Sequence, residues 1–407
     1  MMDRPAHTES RMFDAIESLP PDPILGVHAA FRRDESPHKI DLGIGVYRDQ
    51  AGNTPVPAAV HEAERAMIAA QTTKTYIGPL GNPEFNERIT ELALGPLART
   101  LRPRIAAIQT VGGCGALRVG AELLHVSAPE TVIHVSTPTW ANHEPLVGSS
   151  GLALERYPYY DPATRGVDFD RMHSHLARLP AGAVVLLHAC CHNPTGADLS
   201  PDQWRNIAEL VEKRGLLPFV DLAYQGLGTD LEVDVAGPRL IAERVPEMLL
   251  AISCSKNFGL YRERVGALVM LARDARGAGA LATHQARTAR RMYSMPPDHG
   301  AAIVARVLGD PQLRASWAEE LGEMTARLNG LRELLAKRLA ACRPDRDFSW
   351  LARHRGMFSL LPLPVAALME LRERHHIYAL TDGRVNVAGI SVDNVERVAD
   401  AIGTLTA

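Results

Sequence analysis

Cysteine is scarce: five residues in a chain of 407, an odd number, with no CxxC pair. That speaks against a disulfide framework and against a zinc site built from spaced thiols. Cys190 and Cys191 are adjacent, and neighbouring thiols do not readily share one tetrahedral ion. No apolar run approaches the roughly 18 residues that a membrane span needs. The opening Met1-Met2-Asp3-Arg4-Pro5 is polar and has no apolar signal core. Charge of one sign is missing too. The net charge is −3, and no block of like charges stands out beyond Arg287, Arg290 and Arg291. A nucleic-acid binder would carry a basic stripe. Repeats and low-complexity tracts are absent. A reducing cytoplasm is the expected home.

What is present is bulk and alternation. Hydrophobic residues make up 46% of the chain, enough for two domains or one large domain with a satellite. Short aliphatic runs read as strands: Thr131–Val135, Ala183–His188, Leu217–Asp221, Met248–Ser253 and Val265–Leu271. Helical patterns lie among them, such as Gly115–Leu124 and Pro201–Arg214. This alternation predicts an α/β sheet covered on both faces. Asp310–Ala341 reads as one long helix leading to a C-terminal region. The start of the chain, through Leu42–Tyr47, is expected to pack with that region. Polar residues cluster just after the strands, where open α/β sheets bind ligands.

Four motifs carry chemistry. The first is Ser253-Cys254-Ser255-Lys256-Asn257-Phe258-Gly259-Leu260, followed by Arg264. A lysine forms a Schiff base where its amine is held against a carbonyl and partly desolvated. Two hydroxyls before it and a guanidinium after it would grip one phosphate. A random lysine is a solvated one, but these neighbours reverse that expectation. The second is Asp221-Leu222-Ala223-Tyr224 at the end of an apolar strand. A buried carboxylate needs a cationic partner, and a protonated pyridine nitrogen is one. Taken alone, a helix N-cap explains this aspartate at least as well. The third is Cys190-Cys191-His192-Asn193-Pro194-Thr195-Gly196, which is turn chemistry with Asn193 offering donors and an acceptor. The fourth, Gly112-Gly113-Cys114-Gly115, opens a helix and exposes amides to an anion. It lacks the last glycine of a dinucleotide fingerprint, which disfavours a nicotinamide dehydrogenase. Arg290 and Arg384 would each suit a carboxylate, though the usual place of arginine is the surface.

Together these strings resemble the class I pyridoxal-phosphate (PLP) aminotransferases, nearest to the bacterial aspartate and aromatic (tyrosine) branches. The matching stretches are TPTWANH, CCHNPTG, VDLAYQG, SCSKNFGLYRERVG and GRVNVAG, and the likeness runs from Asp22 to Gly389. The resemblance implies the type I fold of PLP-dependent transferases. A large α/β domain (51–314) would hold a mixed, mostly parallel sheet sandwiched by helices. A smaller α/β domain (21–50 with 315–407) and an N-terminal arm (1–20) would complete it. It implies that Lys256 holds pyridoxal 5′-phosphate and moves a proton at the substrate Cα. Asp221 would keep the ring nitrogen protonated, Tyr224 and Asn193 would bond the phenolic oxygen, and Trp140 would stack on the ring. Ser253, Ser255, Arg264 and the amides of Gly113 and Cys114 would hold the phosphate. Tyr76 would reach it from a second subunit of a homodimer with shared active sites. His143 and His188 would support Asp221. Arg384, with the Gly45 backbone, would bind the substrate α-carboxylate, and Arg290 would cross the interface to a distal carboxylate. The implied reaction is a ping-pong transfer between amino acids and 2-oxo acids, 2-oxoglutarate among them.

Two positions depart from the family. Cys114 replaces a hydroxyl and so offers the phosphate a weaker donor, and Met295 replaces a small polar residue. These leave open a different reaction on the same fold: elimination, lyase or cyclisation chemistry. A non-catalytic regulator of this fold would need a DNA-binding domain, for which the arm before Asp22 is too short.

Overall fold

Aliphatic runs with no polar alternation are suited to strands buried on both faces, and the central sheet is built from such runs. The computed structural model describes residues 12–14, 16–19 and 22–406, so most of the expected 1–20 arm lies outside the described residues. Seven strands form one sheet: β1 (Ile105–Val111), β2 (Val132–Thr137), β3 (Ala153–Pro158), β4 (Val184–His188), β5 (Leu217–Leu222), β6 (Met248–Ser253) and β7 (Val265–Leu271). Their spatial order is β1-β7-β6-β5-β4-β2-β3. β3, β2, β4, β5 and β6 run parallel, while β7 is antiparallel to both β6 and β1. β6 and β7 are the runs expected from the sequence. β1 and β3 were not among the expected strands; β3 carries the charged Ala-Leu-Glu-Arg-Tyr-Pro sequence of a partly exposed sheet edge.

Successive strand residues feed opposite faces, as a two-residue period requires. Phe219, Leu249 and Ala251 join one buried cluster, and Val220, Leu250 and Ile252 join the other. The first face is covered by α2 (Gly112–Ser127) and α4 (Ala275–Met292), and the second by α3 (Pro201–Arg214). α1 (Pro23–Arg33) precedes them in the chain. The bounds of α3 follow from its ends. Ser200 and Gln203 form a reciprocal capping box, and Gly215 closes the helix in the left-handed region at φ 63°. Loss of the Ser200 hydroxyl would cost about 1 kcal/mol.

The expected connector is α5 (Pro311–Cys342), a single 32-residue helix. Its Trp317 is fully buried, donates through Nε1 to the Asn257 carbonyl at 2.7 Å and stacks on Phe258. The helix therefore braces the loop that carries Lys256. Beyond α5, β8 (Phe358–Leu360) pairs antiparallel with β9 (Arg384–Asn386). The chain start joins this region as expected, with Ile40 and Asp41 pairing in parallel with Ile377 and Tyr378. The Asn386 side-chain amide then donates to the carbonyls of Ile44 and Val46, both at 2.7 Å, which fixes the Leu42–Tyr47 loop.

Candidate active site

Three strand ends and one terminal strand converge on a cavity of about 240 Å³. β5 delivers Asp221, the loop after β4 delivers Asn193, the loop after β6 delivers Lys256, and β9 delivers Arg384. Asp221 lies inside β5, buried, so the helix-cap explanation does not hold. Its Oδ2 lies 3.1 Å from His143 Nε2, and His143 Nδ1 lies 2.8 Å from the Thr139 hydroxyl. A carboxylate only accepts, so the imidazole hydrogen belongs on Nε2 and Thr139 donates to Nδ1. Burial alone would raise the Asp221 pKa. The hydrogen bond that His143 donates, with the Lys256 ammonium nearby, outweighs it and holds the carboxyl below its usual range. Asp221 is thus an anion waiting for a cation.

Lys256 is pushed the other way. Burial lowers its pKa, the Asp221 carboxylate opposes that, and Arg264 and Arg384 reinforce it. Its Nζ sits 4.9 Å from the centroid of the Tyr224 ring. A lysine amine with a depressed pKa is a better nucleophile toward a carbonyl at neutral pH. Tyr224 itself is buried, and burial raises its phenol well above the ordinary value, so it stays a hydrogen-bond donor.

One end of the cavity suits a dianion. α2 begins there with no side chain capping it and no acidic residue in its first turn. Its free amides and dipole are therefore available to an anion. Arg264 donates to Ser255 Oγ at 3.1 Å, and its Nη2 lies 3.9 Å from Cys114 Sγ. Gly113, Cys114, Ser253, Ser255 and Arg264 all line this end. Gly112 has φ 66°, and a Cβ there would come within 2.6 Å of the Arg264 guanidinium. Glycine is required for the helix end and the arginine to face the same space. This cradle, the opposing carboxylate Asp221 and the buried amine between them fit pyridoxal phosphate.

The other end suits a carboxylate. Arg384 is buried, donates to the Asn193 side-chain oxygen at 3.3 Å and to the Gly43 carbonyl at 3.0 Å, and lies flat on Phe358 at 4.3 Å. Its Nε is buried without a protein partner. Gly45 lines the cavity, but the carbonyl that anchors Arg384 is that of Gly43. Trp140 and His188 also line the space, with Trp140 edge-on to His143. Burial drives the His188 pKa down to about 3, so the ring is neutral.

Two expected site residues are elsewhere. Tyr76 is 88% exposed, and Arg290 is exposed at the end of α4, bonded to the Ser294 hydroxyl. Neither lines the cavity of its own chain. Met295 does not line it either. Conversely, Ile24 from α1, Leu117 from α2, Tyr261 and Phe358 line it without having been singled out. Ile24, Leu117 and Phe358 belong to no motif and only the fold brings them together, whereas Tyr261 lies within the lysine motif itself. Cys190, Cys191 and Asp234 place possible ligand atoms within 4.8 Å of one another. The Asp234 carboxylate, however, already accepts from the amides of Gly226, Gly228 and Thr229. No described helix is long and apolar enough to cross a membrane.

Comparison with known proteins points the same way. Residues 37–402 match the family described as Aminotransferase class I and II. An aromatic-amino-acid aminotransferase of Paracoccus denitrificans is 46% identical over 391 residues, covering 96% of this chain and 99% of the relative. An aspartate aminotransferase of Escherichia coli is 43% identical over 392 residues, covering 96% and 99%. The crystal structure of an aromatic-amino-acid aminotransferase from Burkholderia pseudomallei, covalently bound to pyridoxal phosphate, superposes with a TM-score of 0.94 at 42% identity, covering 98% of this chain and 100% of that one. With motif order, sheet topology and cavity chemistry all in agreement, the chain belongs to the class I and II aminotransferases.

Proposed function

We propose that this chain is a PLP-dependent aminotransferase that moves the amino group of aromatic and acidic amino acids to 2-oxoglutarate. The observation that carries the reading is the convergence of Lys256, Asp221 and Arg384 on one cavity. These are an amine, an anion and a carboxylate binder drawn from three separate parts of the chain. The two names borne by the relatives, aromatic and aspartate, support the donor range.

Bound in this cavity, pyridoxal phosphate supplies an electron sink for the bonds at the substrate Cα. The chain does the rest. Lys256 would hold the cofactor through its amine and would carry the proton between the substrate Cα and the cofactor's C4′ carbon. Asp221 holds a proton on the ring nitrogen, and His143 keeps Asp221 ionised and oriented. Tyr224 and Asn193 bond the ring oxygen, and Trp140 covers the ring face. Ser253, Ser255, Arg264 and the amides of Gly113 and Cys114 hold the phosphate. Arg384 grips the substrate α-carboxylate beside the Gly45 backbone, which fixes the Cα–H within reach of Lys256.

A homodimer completes the site. Tyr76 and Arg290 are exposed on the chain that carries them, and Ile68 and Met292 add apolar surface that is 61% and 39% exposed. In this reading Tyr76 reaches the phosphate of a second copy, and Arg290 binds the distal carboxylate of acidic substrates there. The division into a large domain (51–314) and a small one (21–50 with 315–407) follows the placement of the main sheet before α5. A cytoplasmic enzyme accords with Cys190 and Cys191 lying side by side as free thiols.

The test is an amino-donor panel with 2-oxoglutarate, read by glutamate formation. Formation with tyrosine, phenylalanine and aspartate is expected. Consumption of donor without glutamate would mean an elimination or lyase reaction and would overturn the reading.

A further inference from the structure

Arg384 owes its placement to a strand that is itself held from behind. β9 carries Arg384 opposite Leu360 of β8, and Phe358, at the other end of β8, lies under the guanidinium. The middle residue of β8, Ser359, is fully buried. Three side chains and one carbonyl form a line through it. Arg332 of α5 donates from Nη1 to Ser359 Oγ at 2.5 Å. Ser359 Oγ lies 3.0 Å from His354 Nδ1, and His354 Nε2 lies 2.7 Å from the Arg165 carbonyl. Arg165 belongs to the turn between Tyr160–Asp161 and Gly166–Val167, remote in sequence from β8.

Only one arrangement of protons satisfies this line. Arginine can only donate, so Ser359 accepts from it. The carbonyl of Arg165 can only accept, so the His354 hydrogen sits on Nε2. The imidazole is neutral because burial lowers its pKa to about 4. With the ring neutral, Nδ1 is a lone pair, and the single Ser359 proton points at it. The same Arg332 guanidinium donates from Nη2 to the carbonyls of Gly356 and Phe358 at 2.7 and 2.6 Å. The backbone on both sides of Ser359 is thereby tied to α5. The His354 hydrogen bond to the Arg165 carbonyl extends the tie to the 160–167 hairpin.

We propose that His354 is a positioning residue for substrate recognition. By locking Ser359 between Arg332 and the Arg165 carbonyl, it fixes β8, and through β8 it fixes Phe358 and the Arg384 guanidinium. The inference rests on the reading of Arg384 as the carboxylate binder. It assigns to His354 no contact with substrate or cofactor. Glutamine has an acceptor and a donor at nearly the spacing of the two ring nitrogens, whereas leucine fills similar volume with neither.

The holoenzyme with His354→Leu is expected to raise both KM for tyrosine and Kd for 3-phenylpropionate by about tenfold, the scale of a lost buried hydrogen-bond pair. Its kcat should stay within about threefold of wild type, and its cofactor absorbance should be unchanged. His354→Gln should restore KM and Kd. Ser359→Ala breaks the same line at another node and gives the same split if the leucine variant does not fold. Unchanged KM and Kd in a folded His354→Leu or Ser359→Ala protein would overturn the proposal, as would a glutamine variant no better than leucine. Arg384→Lys is run beside them. If it leaves KM unchanged in an active enzyme, the carboxylate assignment fails instead, whatever the His354 variants do.

Discussion

The two ends of the cavity are built on different principles. The lysine end is assembled from strand ends of one continuous sheet and from the first turn of α2. Its residues sit in short sequence motifs, and Trp317 braces the lysine loop from behind. The carboxylate end is assembled from the extremes of the chain. Arg384 is anchored to the carbonyl of Gly43, 341 positions away, and to Asn193, 191 positions away. The first end is fixed by backbone pairing. The second depends on side chains meeting across segments that share only two-stranded pairings. In the proposed reading, cofactor chemistry is thus placed on the sheet, and binding of the α-carboxylate that every amino acid carries on segments joined through side chains.

That comparison can be broken in four ways. The largest effect is expected at the lysine end. Lys256→Ala should lower turnover of tyrosine and aspartate alike by at least about 10⁴-fold, with borohydride no longer fixing cofactor at position 256. Comparable turnover in this variant would remove the central assignment. Next comes Asp221→Asn, which keeps shape and removes charge. Turnover should fall by roughly 10²–10³-fold while KM for the amino acid changes little. A change confined to KM would move Asp221 to the recognition end. Third is Arg290→Ala, with an expected loss of roughly 10²-fold with aspartate and under about tenfold with phenylalanine. Equal losses would mean that Arg290 does not read a distal carboxylate.

The smallest effect concerns acid stability of the cofactor-free protein and touches both ends. His188 at the lysine end and His354 behind the carboxylate end have pKa values lowered by burial to about 3 and about 4. In the unfolded chain both would titrate near 6.5. Below that pH the unfolded state binds more protons, so folding stability is lost as pH falls, by something on the order of 3 kcal/mol for each histidine. Asp198 and Asp234 act in the opposite sense. Burial raises each to about 6, so below pH 6 the folded state takes up protons that an unfolded aspartate does not. Stability should therefore fall most steeply between pH 6.5 and 6 and more gently below. Urea midpoints measured across that range test this, and a midpoint that rose on acidification would contradict it.

The same contrast explains what could be read in advance. Lys256, Asp221, Ser255 and Arg264 were legible because each lies within a few residues of a strand end, where chemistry and local sequence coincide. β6, β7 and α3 were legible because aliphatic runs and caps specify their bounds. The direction of β7 was not, since an apolar run buried on both faces reads alike in either direction. Phe358, Leu117 and Ile24 carry no polar signature, and only tertiary contact gives them a role. Arg332 sits in a helix rich in Arg and Glu and reads there as one more solvated charge. It is instead fully buried among main-chain carbonyls and one hydroxyl, which no spacing rule along α5 would reveal.

α5 stands behind both ends of the cavity. Trp317 leans on the lysine loop, and Arg332, about 22 Å further along the same helix, grips β8. An unbroken helix of this length behaves as a stiff lever rather than two independent props. The lysine loop and β8 therefore lean on one and the same element, so a substitution that displaced this helix would disturb the amine and the carboxylate binder together.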